Sequence, residues 1–425
     1  MNPKLVKNNK LYDFFIRYQP EIAVITSLGM IYGFLAGRAI LSLSMFLFFL
    51  NSIWNTKPAF WAKQKWWLWG LAWLGLYAVS YFWSTDIPYW QERVQVKLPF
   101  LIFPIAMACL PKLKEKYFIW LTYGLVILAL CACTYSLSFY FNDTENVLNG
   151  YFYSKVLRTP AYKDHIRFSI FIAWVVIWTC FILPKISNKV LKALLIFSLF
   201  YLSIYLHILA VRSGLLMLYS FAFVYVVFLF LQKKFLQSSL LIFGGCLIVF
   251  TLFKTTPSFR GKLYYGMYSL NEYRKGNVTA DFSDIGRIIS YQLAAKIIRE
   301  NPLLGVGAGD IRSEMKEKYE QYSPNTKPEQ RIVPHNQVME VSLAGGMITL
   351  SVFLIWLFHP IRKIKKNRSG LFLFATWFGL LLCMMVEAML EVQFGVSIYL
   401  FCILWVMKFA RDNAESNPAP AIELA

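Results

Sequence analysis

Long apolar runs separated by short polar stretches are the dominant pattern of this chain. Runs long enough to cross roughly 30 Å of hydrocarbon as helices fall at about 21–37, 38–54, 66–84, 94–110, 117–141, 166–184, 190–210, 212–231, 236–253, 336–358, 370–387 and 391–408. The pattern predicts an all-α polytopic membrane protein of about twelve spans, with a large polar loop between spans nine and ten. Inside that loop Ile285, Ile288, Ile289, Leu293 and Ile297 follow the period of an amphipathic helix, with Asp284 as its cap. That helix stops at Asn301-Pro302, and a second polar helix, about Ile311 to Tyr322, ends before Pro324. The chain is therefore divided into 1–253 (spans one to nine), 254–335 (loop with two helices), 336–410 (spans ten to twelve) and a disordered tail, 411–425.

Composition agrees, with 58% apolar, 18% aromatic and 16% charged residues. A net charge of +20 invites a nucleic-acid partner, but the placement of the basic residues answers a different question. Lys4, Lys7, Lys10 and Arg17 precede the first span. Lys57, Lys63, Lys65, Lys112, Lys114, Lys116, Lys185, Lys189, Lys192, Lys233, Lys234, Arg362, Lys363, Lys365, Lys366 and Arg368 all occupy even-numbered connections. Every one falls on one side, which the positive-inside rule makes cytoplasmic, with both termini there. The basic start leads into an apolar run without a small-residue cleavage site, so the first helix is expected to be an uncleaved anchor. All seven cysteines lie in apolar runs and read as small hydrophobes. Trp61, Trp66, Trp67, Trp69 and Trp73 read as a headgroup belt.

Chemistry is expected on the opposite, outer side. Arg212 falls between spans seven and eight with no carboxylate neighbour in sequence, and an arginine at membrane depth requires an anionic partner. Arg287 lies on the first loop helix and His335 opens span ten. Glu387 and Glu391, four apart on one helical face, could orient His335 or balance an arginine. Asp86, in an outer Ser-Thr-Asp turn, is an alternative base, and His165 with Arg167 opens the sixth span. His207 reads as a packing residue and His359 as cytoplasmic. Gly305-Val306-Gly307-Ala308-Gly309 invites a phosphate-loop reading, but no Gly-Lys-Ser/Thr follows, so a flexible connector is expected. Two guanidiniums can grip phosphate oxygens by paired charge-assisted bonds. An imidazole can accept a proton near neutrality. Together they suit a diphosphate placed next to a hydroxyl.

The sequence resembles the bacterial O-antigen ligases. His335-Asn336, nine residues, Gly346, two residues and Thr349 fit that family's histidine pattern. Arg212 with Leu216 four residues on, and Arg287 followed by Asn301-Pro302-Leu303-Leu304-Gly305-Val306-Gly307, add to the likeness. The resemblance implies a metal-independent, inverting glycosyltransferase of the bacterial inner membrane, with its site facing the periplasm and no cofactor. It would move a glycan from undecaprenyl diphosphate to a hydroxyl of lipid A-core. Arg212 and Arg287 would hold the diphosphate and His335 would orient or deprotonate the acceptor, supported by Asn336, Glu387, Glu391, Asp86 and His165. The partners implied are the lipid-linked donor, the lipid A-core acceptor and membrane lipids, with no nucleic acid. A repeat-unit polymerase or a protein-glycosylating ligase of the same architecture remains open, as does a transporter or flippase for an anionic lipid or sugar.

Overall fold

A computed structural model of the chain describes residues 10–53, 65–152, 155–161, 164–275, 283–362, 364 and 367–414. Trp61, Lys4, Lys7, Lys57, Lys63, Lys363, Lys365, Lys366 and all but the first four residues of the expected tail lie outside the described residues. The helices run, in order, α1 (Lys10–Ala36), α2 (Arg38–Ile53), α3 (Lys65–Val79), α4 (Ile87–Lys97), α5 (Pro99–Cys109), α6 (Glu115–Asn142), α7 (Thr144–Phe152) and α8 (His165–Ile182). They continue as α9 (Lys189–Leu209), α10 (Arg212–Leu231), α11 (Phe235–Thr255), α12 (Pro257–Arg274), α13 (Ser283–Glu300), α14 (Ile311–Tyr322), α15 (Gln337–Phe358), α16 (Arg368–Val386) and α17 (Gln393–Ala414). No strand forms among the described residues.

Eight of the described helices (α6, α8, α9, α10, α11, α15, α16 and α17) are long and apolar enough to cross a membrane. The protein is an all-α, multi-pass membrane protein. The other four expected spans have helices in place, but of different form. Helix α1 begins well before the apolar run, and α2 and α3 have only 16 and 15 residues. The run at 94–110 is divided into α4 and α5, because Pro99 has no amide to continue the ladder and its ring crowds the preceding turn.

Helix α8 is apolar on every side and forms the centre of the bundle, packed by α6, α9, α10, α16 and α17. A second core gathers around Trp73, whose ring lies 5.0 Å from Phe100, 5.0 Å from Phe353 and 5.3 Å from Trp356 between centroids. Helix α11 lies at the edge, with Ser238 as its one buried side chain.

Among the described residues of the polar segment there are three α-helices, not two: α12 is additional to the two expected. Helix α14 occupies the expected residues, burying Ile311, Met315 and Tyr319 along one face. Helix α13 starts at Ser283, so Asp284 lies within its first turn instead of capping it.

The loop after α13 is pinned, not flexible. Helix α15 is broken at Gly345-Gly346, where Gly346 adopts φ +60° and ψ −160°. The chain at 302–306 fills the gap: Val306 N–H donates to the Leu343 carbonyl (2.8 Å) and Met347 N–H to that of Pro302 (2.8 Å). A Cβ on Gly346 would sit 2.2 Å from the Leu303 oxygen, so the close approach and the left-handed backbone both require glycine. The amides of Ala308 and Gly309 donate to the hydroxyls of Ser80 and Ser84, and Asp310 accepts from the amides of Thr85 and Asp86. With those donors consumed inside the protein, the glycine segment splints the broken helix and is not a phosphate loop.

Candidate active site

Helix N-termini converge at one end of the bundle. Helix α9 closes at Ala210, which adopts the left-handed region (φ 51°, ψ 32°), and Val211 is extended, so Arg212 becomes the first residue of α10. Asp164 caps α8, making His165 its first residue. A glycine below this point lets the two helices close: a Cβ on Gly214 would lie 2.6 Å from that of Ser169. The first turn of α13 and a turn of α12 complete an open cleft of about 130 Å³, lined among others by His165, Arg212, Lys262, Tyr265, Asp284 and Arg287. Helix N-termini carry partial positive charge, and the side chains add three cations, so the cleft is built for an anion.

Within it Arg212 is paired, not free. Its Nη1 and Nη2 donate to the two carboxylate oxygens of Asp284 at 2.5 and 2.9 Å, a parallel fork. The anionic partner that the sequence demanded of Arg212 is therefore a protein carboxylate in this state. Arg287 is half-buried, and its guanidinium has no side-chain partner among the described residues. Burial, then the charge of Arg212, lowers the Lys262 ammonium to about 8; Arg287 adds to the shift and Asp284 opposes it.

His335 stands beside this cleft, held by a chain of polar contacts. Its Nδ1 lies 2.8 Å from Glu387 Oε2, and the other Glu387 oxygen accepts from Arg167 Nη2 at 2.8 Å. Arg167 Nη1 donates in turn to Asp164 at 3.2 Å. Burial pushes the Glu387 carboxyl up, but the His335 hydrogen bond and the charges of Arg167 and Arg287 outweigh it and hold the group below the usual carboxylate value. An ionised carboxylate only accepts, so in the neutral imidazole Nδ1 is the donor and Nε2 keeps its lone pair. Nε2 has no protein partner among the described residues, which leaves it able to take a proton.

Two further contacts seat the histidine. Asn336 caps α15, accepting from Val338 N–H (2.9 Å) and Met339 N–H (3.1 Å), and its amide donates to the Met385 carbonyl (2.9 Å). The Tyr291 hydroxyl donates to the His335 carbonyl at 2.7 Å. Tyr291 lies four residues after Arg287, on the same face of α13, so this bond draws the Arg287 face toward His335.

Other expected participants lie elsewhere. Glu391 does not join Glu387: α16 ends at Val386, Glu387 is itself extended and Glu391 closes a short 3₁₀ turn, so no common helical face exists. Glu391 is instead buried against Lys97 Nζ (2.7 Å) and Gln337 Nε2 (2.7 Å), with Arg93 donating to its carbonyl (2.6 Å). Asp86 caps α4 by accepting from Tyr89 N–H (3.0 Å). His207 is enclosed between the Ser203 carbonyl and the Tyr219 hydroxyl, each at 2.7 Å. His359 follows the far end of α15. Lys262, Asp164 and Tyr291 carried no signal in the sequence, because each reaches the site through packing between distant segments. No three His, Cys, Asp or Glu side chains are grouped to hold a metal ion among the described residues.

No curated protein matches this chain. Residues 197–354 match the family model described as O-antigen ligase. That stretch holds Arg212, Lys262, Asp284, Arg287, His335, Asn336 and Gly346, while Arg167 and Glu387 lie outside it. Over residues 197–354 this multi-pass membrane protein is therefore similar to the O-antigen ligases.

Proposed function

We propose that the protein transfers a glycan from undecaprenyl diphosphate to a hydroxyl of lipid A-core, on the periplasmic face of a bacterial inner membrane. The reading is supported chiefly by one observation: Arg212, Lys262 and Arg287 line a single cleft beside His335, whose Nδ1 is held by Glu387. In this mechanism the diphosphate occupies the cleft, taking over the Arg212 fork from Asp284 and adding Arg287. The acceptor hydroxyl gives its proton to His335 Nε2 as its oxygen forms a bond to the anomeric carbon. The bond from that carbon to the phosphate oxygen breaks, and its electron pair leaves on the diphosphate. The cleft's cations stabilise the charge growing there, and the proton passes from His335 to solvent after transfer.

A reconstituted assay with a lipid-linked donor at saturation tests this. Arg212→Ala and His335→Ala should each lose about a hundredfold in rate, on the order of 3 kcal/mol for one preorganised charge contact. Full transfer by either variant overturns the mechanism. Deleting the gene and resolving lipopolysaccharide on a gel separates acceptors: loss of all capped core supports the ligase, whereas a single repeat on the core identifies a polymerase.

A further inference from the structure

Lys262 enters the cleft from α12 and matches no part of the histidine or arginine patterns. Its ammonium lies 5.7 Å from the Tyr151 ring centroid and 5.6 Å from that of Tyr265. Among the described residues its one hydrogen bond is a long contact, 3.5 Å to the Lys155 carbonyl, which leaves ammonium hydrogens available for a ligand. Charge decides what this adds. Arg212 and Arg287 against Asp284 leave the cleft one positive charge in excess, enough for the single charge of a phosphodiester. Lys262 raises the excess to two, which equals the two charges of a diphosphate joined at both ends to carbon. Arg212 is exposed, so solvent softens the cost there, but at the half-buried Lys262 and Arg287 an unmatched charge is costlier for whichever ligand carries it.

We infer that Lys262 is a specificity-determining residue: it supplies the positive charge that makes the cleft prefer a prenyl diphosphate joined at both ends to carbon over the corresponding prenyl phosphodiester. This rests on the proposed occupation of the cleft by the donor diphosphate. Arg212 and Arg287 would bind either headgroup, and Lys262 would distinguish them.

The test is binding of farnesyl glucosyl diphosphate and farnesyl glucosyl phosphate, diesters with two charges and one, to the full-length protein in detergent at pH 7.5, measured by calorimetry. Lys262→Gln should weaken the diphosphate by roughly ten- to a hundredfold, the range of one charged hydrogen bond, while the phosphodiester changes much less. Lys262→Arg should keep the preference, which also shows that the site tolerates substitution. An equal effect of Lys262→Gln on both probes, or no effect on either, overturns the inference and leaves the transfer mechanism intact. A loss of preference in Lys262→Arg as large as that in Lys262→Gln overturns it too. Failure of the native chain to bind either probe would instead sink the diphosphate reading of the cleft.

Discussion

His335 and Glu387, from the opening of α15 and the close of α16, share a hydrogen bond of 2.8 Å between Nδ1 and Oε2. Because the carboxylate fixes which nitrogen bears the proton, it determines what the other nitrogen can do. Glu387→Gln keeps the shape but removes the charge that stabilises an imidazolium. Transfer at saturating donor should fall roughly a hundredfold, a typical share of general-base catalysis, with little change in donor KM. The same carboxyl is held below its usual value in the folded protein, so its contribution to stability is present above about pH 4.3, its unfolded pKa, and is lost as acid titrates it. The difference in unfolding temperature between native protein and Glu387→Gln should therefore shrink below about pH 4.

Arg212 is gripped through two parallel bonds by Asp284. Arg212→Lys retains the charge but not the fork, so donor turnover should drop toward that of Arg212→Ala instead of staying near native. On the proposed mechanism, Asp284→Asn removes the carboxylate that would compete with the diphosphate and also loosens the guanidinium. Steady-state kinetics should show a lower donor KM together with a lower kcat; a higher KM would contradict the competition.

The structure explains why some of this could be read from sequence and some could not. The bounds of α14 and the apolar face of α13 follow from local periodicity and from prolines, and the sequence shows both. The same local reasoning failed at Glu387 and Glu391, since spacing of four implies a shared face only where the helix continues, and α16 stops before either. Arg212, Arg287 and His335 were candidates because motif and topology pointed to them. Lys262, Asp164 and Tyr291 reach the site by tertiary packing, to which composition and spacing are blind.

Lys262 gives a pH dependence with two opposite signs. Its folded value, about 8, is below the unfolded one near 10.4, so between those limits the unfolded chain binds more protons and the folded protein gains stability as pH rises. Anion binding runs the other way, because deprotonation removes a cation from the cleft. The groups facing it are Arg212 on α10, Asp284 and Arg287 on α13, His165 on α8, and Tyr151 and Tyr265; His207, on the neighbouring α9, is turned to Ser203 and Tyr219. Donor KM should rise as pH passes from about 7.5 to 9 in the native protein and stay flat in Lys262→Arg. A flat native profile would refute it.

Gly346→Ala meets both a left-handed backbone and the Leu303 carbonyl. Destabilisation should exceed the roughly 1–3 kcal/mol of a strained backbone position alone, measured as a fall in unfolding temperature. By contrast, Asn336→Ala should cost about 1 kcal/mol as a lost cap while lowering transfer further, since the cap also places His335.

The splint at the broken helix has a consequence for how the molecule comes apart. Val306 and Met347 each donate an amide across the break, so neither bond can open unless a membrane helix and an extramembrane loop part company together. Segments some forty residues apart in sequence thus form one cooperative unit, in which the groups bearing Arg287 and His335 lose their mutual register at a single threshold and not by gradual fraying.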